Sequence, residues 1–115
     1  MVDVNKLFNS VLNDAISIGA PISNKIIPMI FIDQKRYDRV AACYKYRFPE
    51  RYEIHLSEDV LNANEDDIKG IIAHEVLHTC CMKHNGKWKL YQLKMNKYFG
   101  YNIKVEYSWN EILEY

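Results

Sequence analysis

The segment from Asn62 to His78, NANEDDIKGIIAHEVLH, constrains the fold of this chain more than any other stretch. Its apolar residues cover almost the whole surface of a helix, so such a helix has to be buried on most sides. Asn64 can cap its N-terminus, and the three acidic residues that follow match the positive end of the helix dipole. We therefore predict that this segment is the buried central helix of a domain. The apolar residues concerned are Ile68, Ile71, Ile72, Val76 and Leu77.

The pattern before this helix predicts a helix and three strands. Apolar residues recur at helical spacing over residues 4–16, and Gly19 ends that helix. The β-branched run at residues 26–32 predicts a strand, which Pro28 favours at a sheet edge. VAACYKY and YEIHL alternate on either side of a turn at RFPER, so residues 40–56 predict a β-hairpin.

The pattern after the central helix predicts a further helix, a strand and a short terminal helix. An apolar stripe marks residues 88–99 as a helix that Gly100 ends, and residues 101–107 alternate as a strand. Ser108 with Glu111 forms a capping box. The complete order predicts an α+β fold in which a small antiparallel or mixed sheet packs on helices.

Composition indicates one domain, residues 1–115, in a reducing compartment. The chain is 49% hydrophobic and 26% charged, which suits a single packed core. No apolar run is long enough to cross a membrane, and no secretory leader is recognisable. Three cysteines, two of them adjacent, do not form a disulfide framework, so we expect a cytoplasmic protein. They are Cys43, Cys80 and Cys81.

Three of the four histidines lie within eleven positions, two of them in the motif HEVLH. His74 and His78 are one helical turn apart, roughly 6 Å along the axis, so both rings lie on one face and can share a Zn²⁺ ion. Glu75 lies about 60° around the helix from His78, where its carboxylate reaches a water molecule without competing as a ligand. We predict two zinc ligands and a catalytic base for hydrolysis.

A catalytic zinc site needs a third protein ligand and an open fourth position. His84 follows His78 by six residues, and the Asn-Gly pair after it turns the chain, so we predict that His84 completes the ligand set. A glutamate is the competing third ligand. The candidates are Glu106, Glu111 and Glu114.

Cys81 opens a different interpretation. On a continued helix its thiolate would face the metal and close the site, whereas a cysteine on a buried helix commonly acts as a small hydrophobe. If Cys81 closes the site, the alternative function is a non-catalytic, zinc-stabilised binding module. If a glutamate is the third ligand, the alternative is a regulator-cleaving HExxH protease.

Three segments, IHLSEDVL, IIAHEVLHTCCMKHNGKWK and MNKYFGYNI, resemble the SprT-like family of zinc metallopeptidases. That family includes proteases that degrade DNA–protein crosslinks. The resemblance covers roughly residues 50–103 and implies a zincin-like domain whose three histidines bind zinc and whose glutamate is the base. It also implies that the tryptophan packs in the helix after the third ligand. The most specific positions are His74, Glu75, His78, His84 and Trp88.

The chain departs from the family pattern at its third histidine. Family members commonly have a longer spacer there and a Gly directly after it, where this chain has Asn85. The metzincin pattern has the same spacer but needs Gly at Cys81. Because no cysteine follows Cys81, we expect no C-terminal zinc ribbon.

Charge and the sheet raise two further questions. Residues 83–104 contain six lysines and no acidic residue, which indicates either a solvated helix face or a surface for weak contact with DNA. The expected substrate is a protein or peptide. His55 is either a second oxyanion donor or a solvent-facing histidine. The lysines expected to contact DNA are Lys83, Lys87, Lys89, Lys94 and Lys97.

Overall fold

The computed structural model describes residues 3–34 and 39–107, which fold into three α-helices, a 3-10 helix and a three-stranded mixed sheet. The predicted α+β fold class is confirmed. The elements are α1 (Val4–Ser17), β1 (Ile26–Asp33), β2 (Ala41–Arg47), β3 (Glu50–Ser57), the 3-10 helix (Glu58–Asn62), α2 (Glu65–Leu77) and α3 (Gly86–Phe99).

The sheet has the order β1-β3-β2, with β3 antiparallel to β2 and parallel to β1. The predicted hairpin is confirmed, and so is the edge position of the strand that contains Pro28. Along β3 the side chains of Tyr52, Ile54 and Leu56 are buried, which is the face that the alternating pattern predicts. β2 forms the other edge of the described sheet.

Side-chain caps begin α1 and α2, and the cap of α2 is the predicted Asn64. Asp3 accepts hydrogen bonds from the N–H groups of residues 5 and 6 at the start of α1, and Asn64 accepts one from the N–H of Asp67 at the start of α2. Gly19 and Gly100 follow α1 and α3 at φ of 80° and 72°, a left-handed conformation that a side chain disfavours. Within the described ranges, every helix is too short or too polar to span a lipid bilayer.

The predicted central helix is the most buried element. Every residue from 70 to 77 is buried, between α1, α3 and the inner face of the sheet. From α1, Phe8 and Val11 enter the same core, whereas Ile16 is 60% exposed. Helix α3 contributes Trp88 and Met95. The burial of α2 places the end of the HEVLH motif inside the domain.

The predicted final strand is wrong. Residues 101–107 contain no strand, although Tyr101 and Ile103 are buried and Asn102 is exposed, as the alternation suggests. The backbone of Ile103 bonds to side chains of α3, because its N–H donates to Asn96 Oδ1 and its carbonyl accepts from Gln92 Nε2. Side chains of α3 thus provide the hydrogen bonds that a neighbouring strand would have provided. The predicted capping box at residues 108–111 lies outside the described residues.

The helix that carries HEVLH is also shorter than a full reading of the pattern suggests. It ends at Leu77, and residues 78–80 form a turn. The condition under which Cys81 would face the metal, a helix that continues past His78, is therefore not met. The 3-10 helix at Glu58–Asn62 was not predicted.

Two substitutions in α1 test this packing. Phe8→Ala removes a fully buried ring and should lower the free energy of unfolding by about 3–5 kcal/mol. Ile16→Ala, on the exposed side of the same helix, should change it by less than about 0.5 kcal/mol. Urea unfolding of both variants measures the difference, and equal losses would contradict the buried position of Phe8.

Candidate metal centre

Three histidine side chains converge at the C-terminal end of α2. The Nε2 atoms of His74 and His78 lie 3.2 Å apart, and Nε2 of His84 lies 3.1 Å from the first and 3.0 Å from the second. Among residues 3–34 and 39–107, these are the only three His, Cys, Asp or Glu side chains grouped closely enough to hold one metal ion. The structure thus brings together the three residues predicted as ligands.

The hydrogen bonds of Nδ1 determine the tautomers of His74 and His78. Nδ1–H of His74 donates to the carbonyl of Lys104 at 2.8 Å, and Nδ1–H of His78 donates to the carbonyl of Cys81 at 3.1 Å. A carbonyl oxygen only accepts, so in each neutral ring the proton is on Nδ1 and Nε2 presents a lone pair. Burial lowers the pKa of His74 to about 4 and also lowers the pKa of His78, which keeps both rings neutral at pH 7.

Because both rings carry their proton on Nδ1, the point where their Nε2 atoms converge can bind a cation. Two unprotonated Nε2 atoms have no proton to share, so their convergence is satisfied by a positive ion rather than by a hydrogen bond. A tetrahedral Zn²⁺ ion, with Zn–N bonds of about 2.0–2.1 Å, separates its ligand nitrogens by about 3.3–3.4 Å. The three observed separations of 3.0–3.2 Å are close to this value. The donor set therefore fits a tetrahedral metal ion.

Local structure at both ends of the 78–84 turn positions the ligands. His78 directly follows α2, and Asn85 caps α3 by accepting hydrogen bonds from the N–H groups of Lys87 and Trp88. This cap places His84 immediately before α3. The departure from the family pattern at Asn85 thus has a structural role in the turn.

Trp88 packs beneath the cluster, in the helix that follows the third histidine. It is fully buried, and its ring centroid lies 4.6–5.7 Å from the centroids of the three imidazoles. Its indole N–H donates to the carbonyl of His74 at 3.4 Å. Trp88 therefore restricts the orientations that the histidine rings can adopt.

A cavity of about 270 Å³ opens beside the histidines, and Glu75 contributes to its wall. Burial raises the pKa of Glu75 to about 8, and the positive charge of Arg39 offsets part of this rise. A carboxyl with a pKa near the working pH can exchange protons efficiently. Glu106 also lines the cavity, and the apolar part of the wall consists of Val40, Ala41, Ile71 and Val105.

The cysteines lie outside the cluster. Cys81 contributes its carbonyl to His78, while Cys80 and Cys81 pack against the hydrophobic core. Burial raises the pKa of the Cys80 thiol to about 11 and that of Cys43 to about 12, where the charge of Glu75 adds to the effect. The thiols of Cys43 and Cys80 are therefore protonated at neutral pH. The packing of Cys80 and Cys81 fits the role of small hydrophobic residues.

The other candidate residues fall elsewhere. Glu106 lines the cavity but is not part of the histidine group, and Glu111 and Glu114 lie outside the described residues. His55 is on the opposite face of β3 from the buried side chains. Its two ring nitrogens lie 2.9 Å from Asp33 Oδ1 and 3.0 Å from Glu53 Oε1, so it is not placed to act in the cavity.

Sequence reasoning missed the residues that support the site from residues 101–107 and from Arg39, which precedes β2. The carbonyl of Lys104, the ring of Tyr107, 5.6 Å from His74, and the guanidinium near Glu75 carry no sequence signature, because each contact depends on tertiary folding. One available signal was the glycine inside the predicted central helix, Gly70. An isolated glycine in a helix often marks a close approach by another segment.

An α+β domain with three convergent imidazoles beside a buried glutamate is a candidate metal-binding domain. The model of the SprT-like family matches residues 11–107. The chain therefore belongs to the SprT-like family, as the segments within residues 50–103 predicted. Comparisons with curated proteins and with solved structures found no match.

The pKa of Glu75 leads to a prediction for the metal-free protein. A carboxyl whose pKa rises from 4.5 to about 8 on folding stabilises the fold fully below pH 4.5, and this contribution is lost as the pH rises through about 8. Glu75→Gln cannot ionise, so its stability relative to wild type should increase by about 3 kcal/mol between pH 5 and pH 8.

Urea unfolding with a chelator present measures this difference. The matched control is Glu106→Gln, which removes an exposed carboxyl from the wall of the same cavity. A pH-independent difference for Glu75→Gln would mean that Glu75 is ionised in the folded protein throughout this range.

Proposed function

We propose that this protein is a zinc-dependent metallopeptidase. The observation that carries the proposal is the convergence of three histidine Nε2 atoms within 3.2 Å, beside a cavity whose wall contains a buried glutamate. Membership of the SprT-like family is compatible with this activity. His74, His78 and His84 would hold the metal ion, and Glu75 would be the catalytic base.

Zinc is the metal that this donor set favours. Three neutral imidazoles suit Zn²⁺, and catalytic zinc sites commonly have three protein ligands and one open position. A zinc ion bound there would polarise the scissile carbonyl and lower the pKa of a water molecule to about 7.

Glu75 would move the protons of the reaction. Its carboxylate would accept the proton of the attacking water and then deliver a proton to the departing amine of the peptide. The positive charge of Arg39 favours the carboxylate form, and so would a cation held by the histidines. Burial excludes competing solvent from Glu75, which is only 6% exposed.

The sheet edge next to the cavity suits an extended peptide substrate. Within the described residues β2 is an edge strand. Its first residue, Ala41, and the preceding Val40 line the cavity with Glu75. A peptide added to this edge would form main-chain hydrogen bonds with little dependence on its sequence. Its backbone would then pass in front of the histidines.

Two substitutions separate binding from catalysis. Glu75→Gln should retain one zinc per chain and lose about 10²–10⁴-fold in peptide cleavage, since a general base has been removed. His84→Ala should lose zinc as well as cleavage. Elemental analysis and a cleavage assay on an unfolded protein measure both. The control is Glu65→Gln, an exposed carboxylate at the opposite end of α2, which should retain zinc and activity.

Three outcomes would redirect the proposal. Unchanged cleavage by Glu75→Gln would assign the base to another residue, and zinc retained by His84→Ala would favour an acidic third ligand. If the wild type binds zinc but cleaves nothing, and X-ray absorption shows a sulfur ligand, the protein is a zinc-stabilised binding module.

We also propose that the substrate is a protein associated with DNA, in the cytoplasm of a cell. The lysine surface consists of Lys83, Lys87, Lys89, Lys94 and Lys97, in or next to α3, and supports weak contact with phosphates. The exposed ring of Tyr98 on the same helix can stack on a base. The three cysteines carry no disulfide, in keeping with a reducing compartment. The exposed lysines are Lys83, Lys87, Lys89 and Lys97, and Lys94 is half-buried.

DNA binding is tested by removing charge from this surface. The triple variant Lys87→Ala, Lys94→Ala and Lys97→Ala should weaken DNA binding at low salt and reduce the dependence of log K on log salt by up to about 3. Fluorescence anisotropy measures the affinity, and the matched control is Lys25→Ala, Lys45→Ala and Lys69→Ala, which lie outside α3. Equal binding by both triple variants would identify the surface as a solvated helix face.

A further inference from the structure

The segment that reaches His74 from outside α2 has no regular secondary structure. Within residues 101–107, the carbonyl of Lys104 accepts the Nδ1–H of His74 at 2.8 Å. This bond selects the tautomer whose Nε2 is free to bind a cation. The orientation of one candidate ligand therefore depends on the position of a single carbonyl in an irregular segment.

Two amides on α3 determine where that segment lies. Asn96 bonds to both backbone groups of Ile103, since its Oδ1 accepts from the N–H at 2.9 Å and its Nδ2 donates to the carbonyl at 3.2 Å. Gln92 Nε2 donates to the same carbonyl at 2.8 Å and is buried. Ile103 directly precedes Lys104, so these three hydrogen bonds position the Ile103–Lys104 peptide, which directly precedes the Lys104 carbonyl that accepts from His74.

A glycine in α2 allows the segment to approach from the other side. A Cβ at Gly70 would lie 2.8 Å from the hydroxyl of Tyr107 and 2.9 Å from the carbonyl of Asn102. That hydroxyl in turn accepts the N–H of Lys104 at 3.1 Å and donates to the carbonyl of Asn102 at 3.2 Å. A side chain at position 70 would therefore displace the same peptide.

We propose that Gln92 and Asn96 are positioning residues for the metal centre, acting through Ile103 and the Lys104 carbonyl on the tautomer and orientation of His74. Gly70 provides the space that this arrangement requires. The inference rests on the proposed function, since it concerns the affinity of the three histidines for zinc. Partners that orient a histidine ligand typically change metal affinity by about 10–100-fold when they are removed.

The test compares the double variant Gln92→Ala, Asn96→Ala with Asn5→Ala. Asn5 Oδ1 accepts the N–H of Ile30 at 2.9 Å, so the control loses the same kind of side-chain-to-backbone bond, between α1 and β1. Zinc affinity, measured by competition with a chelator well below the melting temperature, should fall about tenfold in the double variant. Asn5→Ala should lower the melting temperature and leave zinc affinity within about twofold.

A spectroscopic readout separates positioning from general destabilisation. Nitrogen-15 NMR of the metal-free wild type should show His74 as the Nδ1–H tautomer, and the double variant should show a mixture of tautomers. If the double variant does not fold, Gly70→Ala replaces it, with the same expected loss of affinity and change of tautomer.

The outcomes distinguish this inference from the proposed function. A wild type that binds zinc through the three histidines, with unchanged affinity and tautomer in the variants, overturns the positioning role and leaves the metallopeptidase proposal intact. If the wild type binds no zinc, the proposed function fails first, and the tautomer measurement alone then decides whether Gln92 and Asn96 orient His74.

Discussion

Unprotonated imidazole nitrogens that converge on one point are costly unless something positive lies between them, and the site of this protein is arranged around that constraint. The two rings from the end of α2 present Nε2 because their Nδ1–H groups donate to carbonyls of residues 81 and 104. Both carbonyls belong to segments without regular structure. Helix α2 and the turn that follows it therefore place the rings, whereas the carbonyls of residues 81 and 104 select their tautomers.

Burial has opposite consequences for the two kinds of ionisable group at this site. It lowers the pKa of His74, so that the ring stays neutral and able to bind a cation, and it raises the pKa of Glu75 into the neutral range. Both effects follow from the same apolar helix, because a charged form loses solvation in either case. A bound cation would favour the ionised form of Glu75, so metal binding and the protonation of the carboxyl are coupled.

Helix α3 connects the different parts of the site. Its first turn, capped by Asn85, places His84, and its buried Trp88 packs under all three imidazoles. Further along, Gln92 and Asn96 bond to the backbone of Ile103. Its inner face is thus occupied by the site, whereas its outer face carries the lysine surface. This division explains why only a narrow stripe of α3 is buried.

The sequence by itself determined the elements whose signals are local or periodic. The hairpin, the three helices and their caps follow from spacing and from residues such as Asn64 and Gly100, and the HEVLH motif identifies two histidines on one helical face. The third histidine was predictable because the turn before α3 has its own signal. Each of these inferences uses interactions between residues close in the chain.

Only the tertiary structure decided where α2 ends at the site and what residues 101–107 do. Their alternating pattern correctly indicates which side chains are buried, but burial does not specify the hydrogen-bond partner, and α3 side chains take the place that a strand would have. Because the helix ends at Leu77, the Cys81 side chain does not join the histidine cluster. The Cys81 carbonyl instead accepts a hydrogen bond from His78. Backbone carbonyls are common to every residue, so their role in the site depends on the path of the folded chain.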